Sequence, residues 1–145
     1  MSTPKRFEFL EHTADVYVAV YGSSLEEAFE NAALAMFEAM TKTENVEHKI
    51  EDSIEVEGYD EYALLYNWLE ALLIKFETSE TLYSKFKISK IEKISKGFRL
   101  NAKIWGELFN PEKHSQKVGI KAVTYHQMEI IKKPKMVTVK FILDI

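Results

Sequence analysis

Cysteine is absent from the 145 residues, and with it go disulfides, thiolate zinc sites and thiol nucleophiles. Any metal must therefore be held by oxygen or imidazole. Long apolar runs are also missing: the longest, inside Tyr62 to Phe76, is cut by Asn67 and Glu70, and the first apolar stretch is too short for a signal h-region. These absences point to a cytoplasmic protein without a membrane span. There is no GxGxxG and no Walker lysine, so Gly22-Ser23-Ser24, lying between a strand pattern and a helix pattern, is left as the one candidate anion seat. The four histidines lack the i, i+4 spacing of a helical zinc pair, and His48 lies in a charged, loop-like stretch where it is expected to face solvent. A serine hydrolase would need a nucleophile on a tight turn with an oxyanion loop. Neither Lys113-His114-Ser115 nor Gly119-Ile120-Lys121 supplies one.

What is present is the composition of a self-folding globular chain, 46% hydrophobic and 29% charged. Its length suits a single domain over residues 1–145, with no linker or repeat, burying about two-thirds of its surface on folding. Net charge is -4, but residues 1–79 carry 17 acids against 5 bases and residues 80–145 carry 6 against 14. The expectation is a bipolar molecule. Lys85, Lys87, Lys90 and Lys93 read either as a basic patch for RNA or as the solvent face of an antiparallel strand. Low Gln and heavy Lys, Glu and Ile use lean towards a thermophilic source.

Phe7 to Leu10 reads as a short strand, and Val16, Val18 and Val20 as a second, apolar on both faces and so central. Ser23 or Ser24 can cap a helix of about 17 residues, on which Leu25, Phe29, Ala32, Ala33, Met36, Phe37 and Met40 recur at helical spacing. Ile50, Ile54 and Val56 alternate with Glu51, Glu55 and Glu57, as in a strand with one wet face. Asp60 can cap a second helix reaching Thr78, whose broad apolar surface implies deep burial or self-association. Strands follow around Phe86 and Ile88 and around Phe98 to Ile104, with a slip in alternation between Ile88 and Ile91 that suggests a bulge. Val118–Ile131 and Val137–Leu143 form a last pair, turned by Lys132-Lys133-Pro134-Lys135. The fold class is α+β: a two-layer sandwich of two helices packed on a largely antiparallel sheet.

Two stretches could carry chemistry. "EHTADV" runs His12 and Asp15 into the central strand, and the sequence closes on "FILDI", a strand pattern that brings Asp144 and the carboxylate of Ile145 together. Clustered carboxylates repel unless a cation or a base lies between them, and a hard cation takes oxygen ligands from such a cluster. Asp15 and Asp144 could equally be solvated acids at strand ends.

The joint occurrence of "FEFLEHTADV", "YNWLEALL", "GELFNPEKH", "IKAVTYH" and the final "DI" resembles the archease family over essentially the whole length. The resemblance implies a small α+β protein, not itself an enzyme, that assists the RtcB-type GTP-dependent RNA ligase in tRNA splicing by promoting its guanylylation. A chaperone-like role towards a tRNA methyltransferase is the alternative it implies. It also implies a divalent metal site, usually calcium, at Asp15, Asp144 and Ile145, with Mg²⁺ or Mn²⁺ as substitutes. His12, His114, Lys121, Tyr125 and His126 look like polar groups gathered near that end for a partner, Lys121 standing out because a lysine in an apolar stretch is costly to bury. Where the family commonly shows Asp, this chain has Asn67 and Asn110, and Lys113 stands where Arg is usual without being able to form its bidentate fork.

Two other classes compete. An RNA-binding module would use the basic second half with Tyr83, Trp105 and Tyr125 as exposed aromatics, although the net negative charge argues against direct RNA binding. A free-standing metal-dependent hydrolase would need an open coordination position and a base such as His126 or His12.

Overall fold

The computed structural model describes residues 5–11 and 15–145. The first strands are Phe7–Leu10 (β1) and Asp15–Gly22 (β2), followed by helix Leu25–Met40 (α1), a 3₁₀ turn at Thr43–Asn45, strand Ile50–Gly58 (β3) and helix Glu61–Ser79 (α2). Both strand-to-helix corners turn on a glycine. A Cβ on Gly22 would stand 2.5 Å from the Ala28 nitrogen, and one on Gly58 would stand 2.4 Å from that of Leu64. Only a residue without a side chain lets each strand end lie against the first turn of its own helix. Each helix then opens on the cap that its sequence announces: Glu27 N–H donates to Ser24 Oγ at 3.1 Å, and Ala63 N–H to Asp60 Oδ1 at 2.7 Å. Ser23 N–H and Oγ donate to the Glu27 carboxylate. That carboxylate sits where the sequence suggested a bound anion, so the candidate anion seat is filled by the chain's own acid.

After α2 come Thr81–Ile94 (β4), Gly97–Leu108 (β5), Ala122–Val123 (β6), Glu129–Lys133 (β7) and Met136–Asp144 (β8). The strands form two antiparallel sheets where the sequence suggested one. One runs β1-β2-β8-β6, with β7 also on β8; the other runs β3-β5-β4. β2 is central, as its two-sided apolarity implies. The anticipated bulge lies between Ile88 and Lys90, and a second one, between Tyr83 and Lys85, was not legible in the alternation.

The anticipated long strand from Val118 to Ile131 is a correction. Only Ala122–Val123 and Glu129–Lys133 pair with β8, opposite Asp144–Leu143 and Lys140–Met136 respectively. Between them Gln127 adopts φ 54 and the chain leaves the sheet, while Thr124 N–H and Oγ1 both donate to the Ile142 carbonyl. The hairpin turn tightens to Pro134-Lys135, with Lys133 opposite Met136.

The core is one cluster that both sheets share. α1 packs on β2 and β4 and so bridges the two sheets; α2 packs on β3 and β5, with β6 and β7 along its flank. Trp68 is fully buried and its indole N–H donates to the Phe29 carbonyl at 2.9 Å, tying α2 to α1. Its edge meets Phe86, which stacks on Phe37. The apolar breadth of α2 is thus mainly burial. No helix among the described residues is long and apolar enough to cross a membrane.

The expected bipolarity is not separated into two ends. On the outer face of the three-stranded sheet the acid-rich β3 lies directly beside β5, with Glu57 opposite Arg99 and Ser53 opposite Lys103. Arg99 Nε meets Glu57 at 3.1 Å, and Lys103 Nζ lies 3.8 Å from Glu51. Lys85, Lys87, Lys90 and Lys93 are exposed along β4, an edge strand, as gatekeepers of a free sheet edge.

Candidate functional site

The antiparallel pairing of β2 with β8 places Asp15 directly opposite Asp144, at the point where both strands end. Directly opposed residues have Cβ atoms about 5 Å apart on the same face, and like charges so placed destabilise a sheet. Asp144 is exposed, its side chain on the rim, while its carbonyl accepts the Lys121 N–H at 2.7 Å. Ile145 follows, with its side chain packed against the core. Three strands therefore deliver Asp15, Asp144 and Ala122 side by side. His12 lies outside the described residues.

The rest of the expected group divides. Lys121 is exposed, which removes the argument that it is a costly buried lysine; its main chain serves the edge and its ammonium faces solvent. Tyr125 and His126 lie on the segment that leaves the sheet after β6, with His126 N–H donating to Thr124 Oγ1. Tyr125 stacks on Tyr66 of α2, with centroids 4.4 Å apart and planes 5° from parallel.

His114 is the clear correction. It is 2% exposed and so not available to a partner. Asn110 N–H donates to its Nδ1 at 2.9 Å, which leaves the proton on Nε2 to be donated to Glu107, also at 2.9 Å. The Glu107 carboxylate further accepts the Glu47 N–H at 2.8 Å and the Lys113 ammonium at 2.8 Å. Burial opposes the charge on Glu107. The Lys113 ammonium, the Glu47 N–H and His114 outweigh it and hold its carboxyl down at about 2. Sequence reading missed Glu107 as an anchor: by alternation it falls on the outward face of β5 with Lys103 and Trp105, and the one signal was an acid seven residues before a histidine. The anchor holds down a stretch with little regular structure, and Lys117 fastens it again, through its N–H to Met40 O and its ammonium to Glu38. Lys121 thereby reaches the Asp144 edge along a tethered path.

Asn67 and Asn110 also have plain structural duties. Asn67 Nδ2 donates to the Glu57 carbonyl at 2.7 Å, a bond that an ionised Asp could not make. Asn110 Oδ1 accepts the Glu112 N–H at 3.0 Å.

The aromatics proposed for RNA fare unevenly. Tyr83 is buried and its hydroxyl donates to Asp52 at 2.7 Å, so it is no surface platform. Trp105 is half-buried under the Lys85 ammonium and donates to Glu51. His48 is exposed, as expected. A groove of about 790 Å³, lined among others by Arg6, Tyr21, Glu30 and Phe86, lies at the opposite end of β2 from Asp15.

The profile of the archease protein family (MTH1598/TM1083) matches residues 7–145. The chain belongs to the archease family. It is 45% identical over 141 residues to protein archease of Sulfurisphaera tokodaii, covering 97% of this chain and 99% of that one. To protein archease of Pyrococcus abyssi it is 48% identical over 130 residues, 90% and 91% of the two chains. Among solved structures, the solution structure of Methanobacterium thermoautotrophicum protein 1598 superposes with a TM-score of 0.84 at 44% identity, covering 96% of this chain and 98% of that one. The crystal structure of an archease from Thermotoga maritima, described there as a possible chaperone, superposes at 0.62 with 18% identity over 100% and 98% of the two chains, a likeness of fold alone. The archease fold thus brings Asp15 and Asp144, 129 positions apart in this chain, into one cross-strand pair.

Among the described residues no three metal-binding side chains cluster. The donor set at the β2–β8 end is two carboxylates with main-chain oxygens beside them, chemistry that fits a hard cation, which takes about six to eight oxygens, the remainder from water or a partner.

Proposed function

We propose that this archease-family protein is a non-enzymatic activator of an RtcB-type GTP-dependent RNA ligase, acting from the Asp15–Asp144 edge. The observation that carries the reading is the pairing of Asp15 with Asp144, beside which Lys121 is tethered and exposed. Asp15, Asp144 and an Ile145 main-chain oxygen would hold a divalent cation, Ca²⁺ by preference with Mg²⁺ or Mn²⁺ as alternatives, which neutralises the opposed charges. Lys121 then presents a cation beside Asp144, and His126 an exposed imidazole five residues further along the chain, groups suited to adjusting phosphate or metal geometry in a partner's site while no bond is broken here. Support comes from the family membership and from the strand pairing that sets two like charges face to face at a strand end.

The test is multiple-turnover joining of a cleaved tRNA by a cognate ligase with GTP and Mn²⁺, with and without this protein, and with Asp144→Ala and Lys121→Ala. Stimulation by the parent protein that both substitutions abolish supports the reading. Full stimulation by both variants sinks it, and no stimulation by the parent protein moves the weight to the methyltransferase-chaperone alternative.

A further inference from the structure

Tyr62, Tyr66 and Glu70 follow one another at four-residue spacing along one flank of α2, and Tyr59 stands just ahead of the helix beside its N-cap Asp60. Tyr59 is 77% exposed, Tyr62 40% and Tyr125 49%, an unusual share of aromatic surface for one small region. Tyr125 reaches this flank because the chain leaves the sheet after β6, and it lays its ring on Tyr66. Acids rim the patch. Burial and then the neighbouring Glu70 carboxylate push the Tyr66 hydroxyl up, and burial followed by Tyr59, Tyr66, Asp60 and Glu70 does the same to the Tyr125 hydroxyl. The nearby base Lys132 is already paired with Glu61.

This combination selects its occupant by charge and shape. A nucleic acid could stack on tyrosine rings, but its phosphates would have to approach Asp60 and Glu70. A guanidinium gains on both counts: its plane lies on an aromatic face and its fork meets a carboxylate. We infer that the Tyr59–Tyr62–Tyr66–Tyr125 surface is a docking face for an arginine-bearing segment of a protein partner. It lies apart from the Asp15–Asp144 edge, joined to it by the short run from Lys121 to Tyr125, which spans at most about 14 Å of extended chain. A single partner could therefore engage the arginine face and the acidic edge together.

The test uses the full chain and three probes: an arginine hexapeptide, a lysine hexapeptide of equal charge, and a uridine hexanucleotide, followed by NMR shifts and by anisotropy of labelled probes. The arginine peptide should bind about two- to fivefold tighter than the lysine peptide, with shifts gathered on Tyr59, Tyr62, Tyr66 and Tyr125. The pair Tyr59→Ala with Tyr125→Ala should remove that preference, while Tyr125→Phe, which keeps the ring face, should retain it. Equal binding of the two peptides, shifts gathered on Glu51 and Glu55 of β3, competition by the uridine hexanucleotide at the tyrosines, or no binding would each overturn the inference. Asp144→Ala should bind the arginine peptide like the parent protein, so a failure of the ligase reading and a failure of this one are read separately.

Discussion

Glu107 shows how much one side chain can organise. Its carboxylate gathers an ammonium, an imidazole N–H and a main-chain N–H; its removal would strand the buried His114 imidazole, while Lys113 keeps its pair with Glu47. Glu107→Ala should cost about 1–3 kcal/mol, measured by urea unfolding. The pH dependence has a definite sign. The carboxyl is depressed in the folded state from 4.5 to about 2, so its stabilisation is present above pH 4.5 and is lost as pH falls through about 2. Thermal melts of the parent protein should weaken across that window, and Glu107→Gln should weaken less. Equal slopes in parent and variant would remove Glu107 as the titrating group. Asn67 allows a smaller test: Asn67→Asp loses the donor to the Glu57 carbonyl and places a charge beside it, at a cost of about 1 kcal/mol above pH 5.

At the level of elements, the two corners at Gly22 and Gly58 and the shared end of β2 and β8 matter most. Gly58→Ala puts a methyl group into the main chain of α2, where nothing flexible can yield, and should cost about 1–3 kcal/mol by the same unfolding measurement. At the strand ends, Asp144→Asn relieves the opposed charges and should raise the melting temperature of protein stripped by a chelator, by the equivalent of about 0.5 kcal/mol. Added Ca²⁺ should then raise the melting temperature of the parent protein and leave the variant nearly unchanged. A variant that kept the whole calcium-induced gain would remove this edge as the cation site. The lysines of β4 belong to the same scale, exposed along a free sheet edge beside strands that pair acid with base. Surface pairs of this kind are worth at most about 1 kcal/mol each, so their effect is on solubility and partner choice more than on fold.

For the whole molecule, the decisive feature is that α1 touches both sheets and Trp68 ties α2 to it, so no sheet has a core of its own. Unfolding should be a single transition by far-UV dichroism and by fluorescence, and Trp68→Ala, which empties the largest fully buried side chain, should lower both midpoints together by about 3–5 kcal/mol of stability. Separate midpoints would mean that the sheets fold independently.

Local signals determined the helices, their caps, the central place of β2 and the bulge near Ile88, because each depends on side-chain period or on a residue's own hydrogen-bonding chemistry within a few positions. The motif set also carried the family likeness. Only the tertiary structure decided the rest. Two sheets in place of one, the splitting of the stretch from Val118 to Ile131, the burial of His114 on Glu107 and of Tyr83 on Asp52, and the stacking of Tyr125 on Tyr66 all arise from contacts between distant positions. Periodicity says which face of an element is apolar; it does not say which other face will cover it. The pairing of Asp15 with Asp144 stands between the two: the residues were legible, and the register that sets them face to face was not.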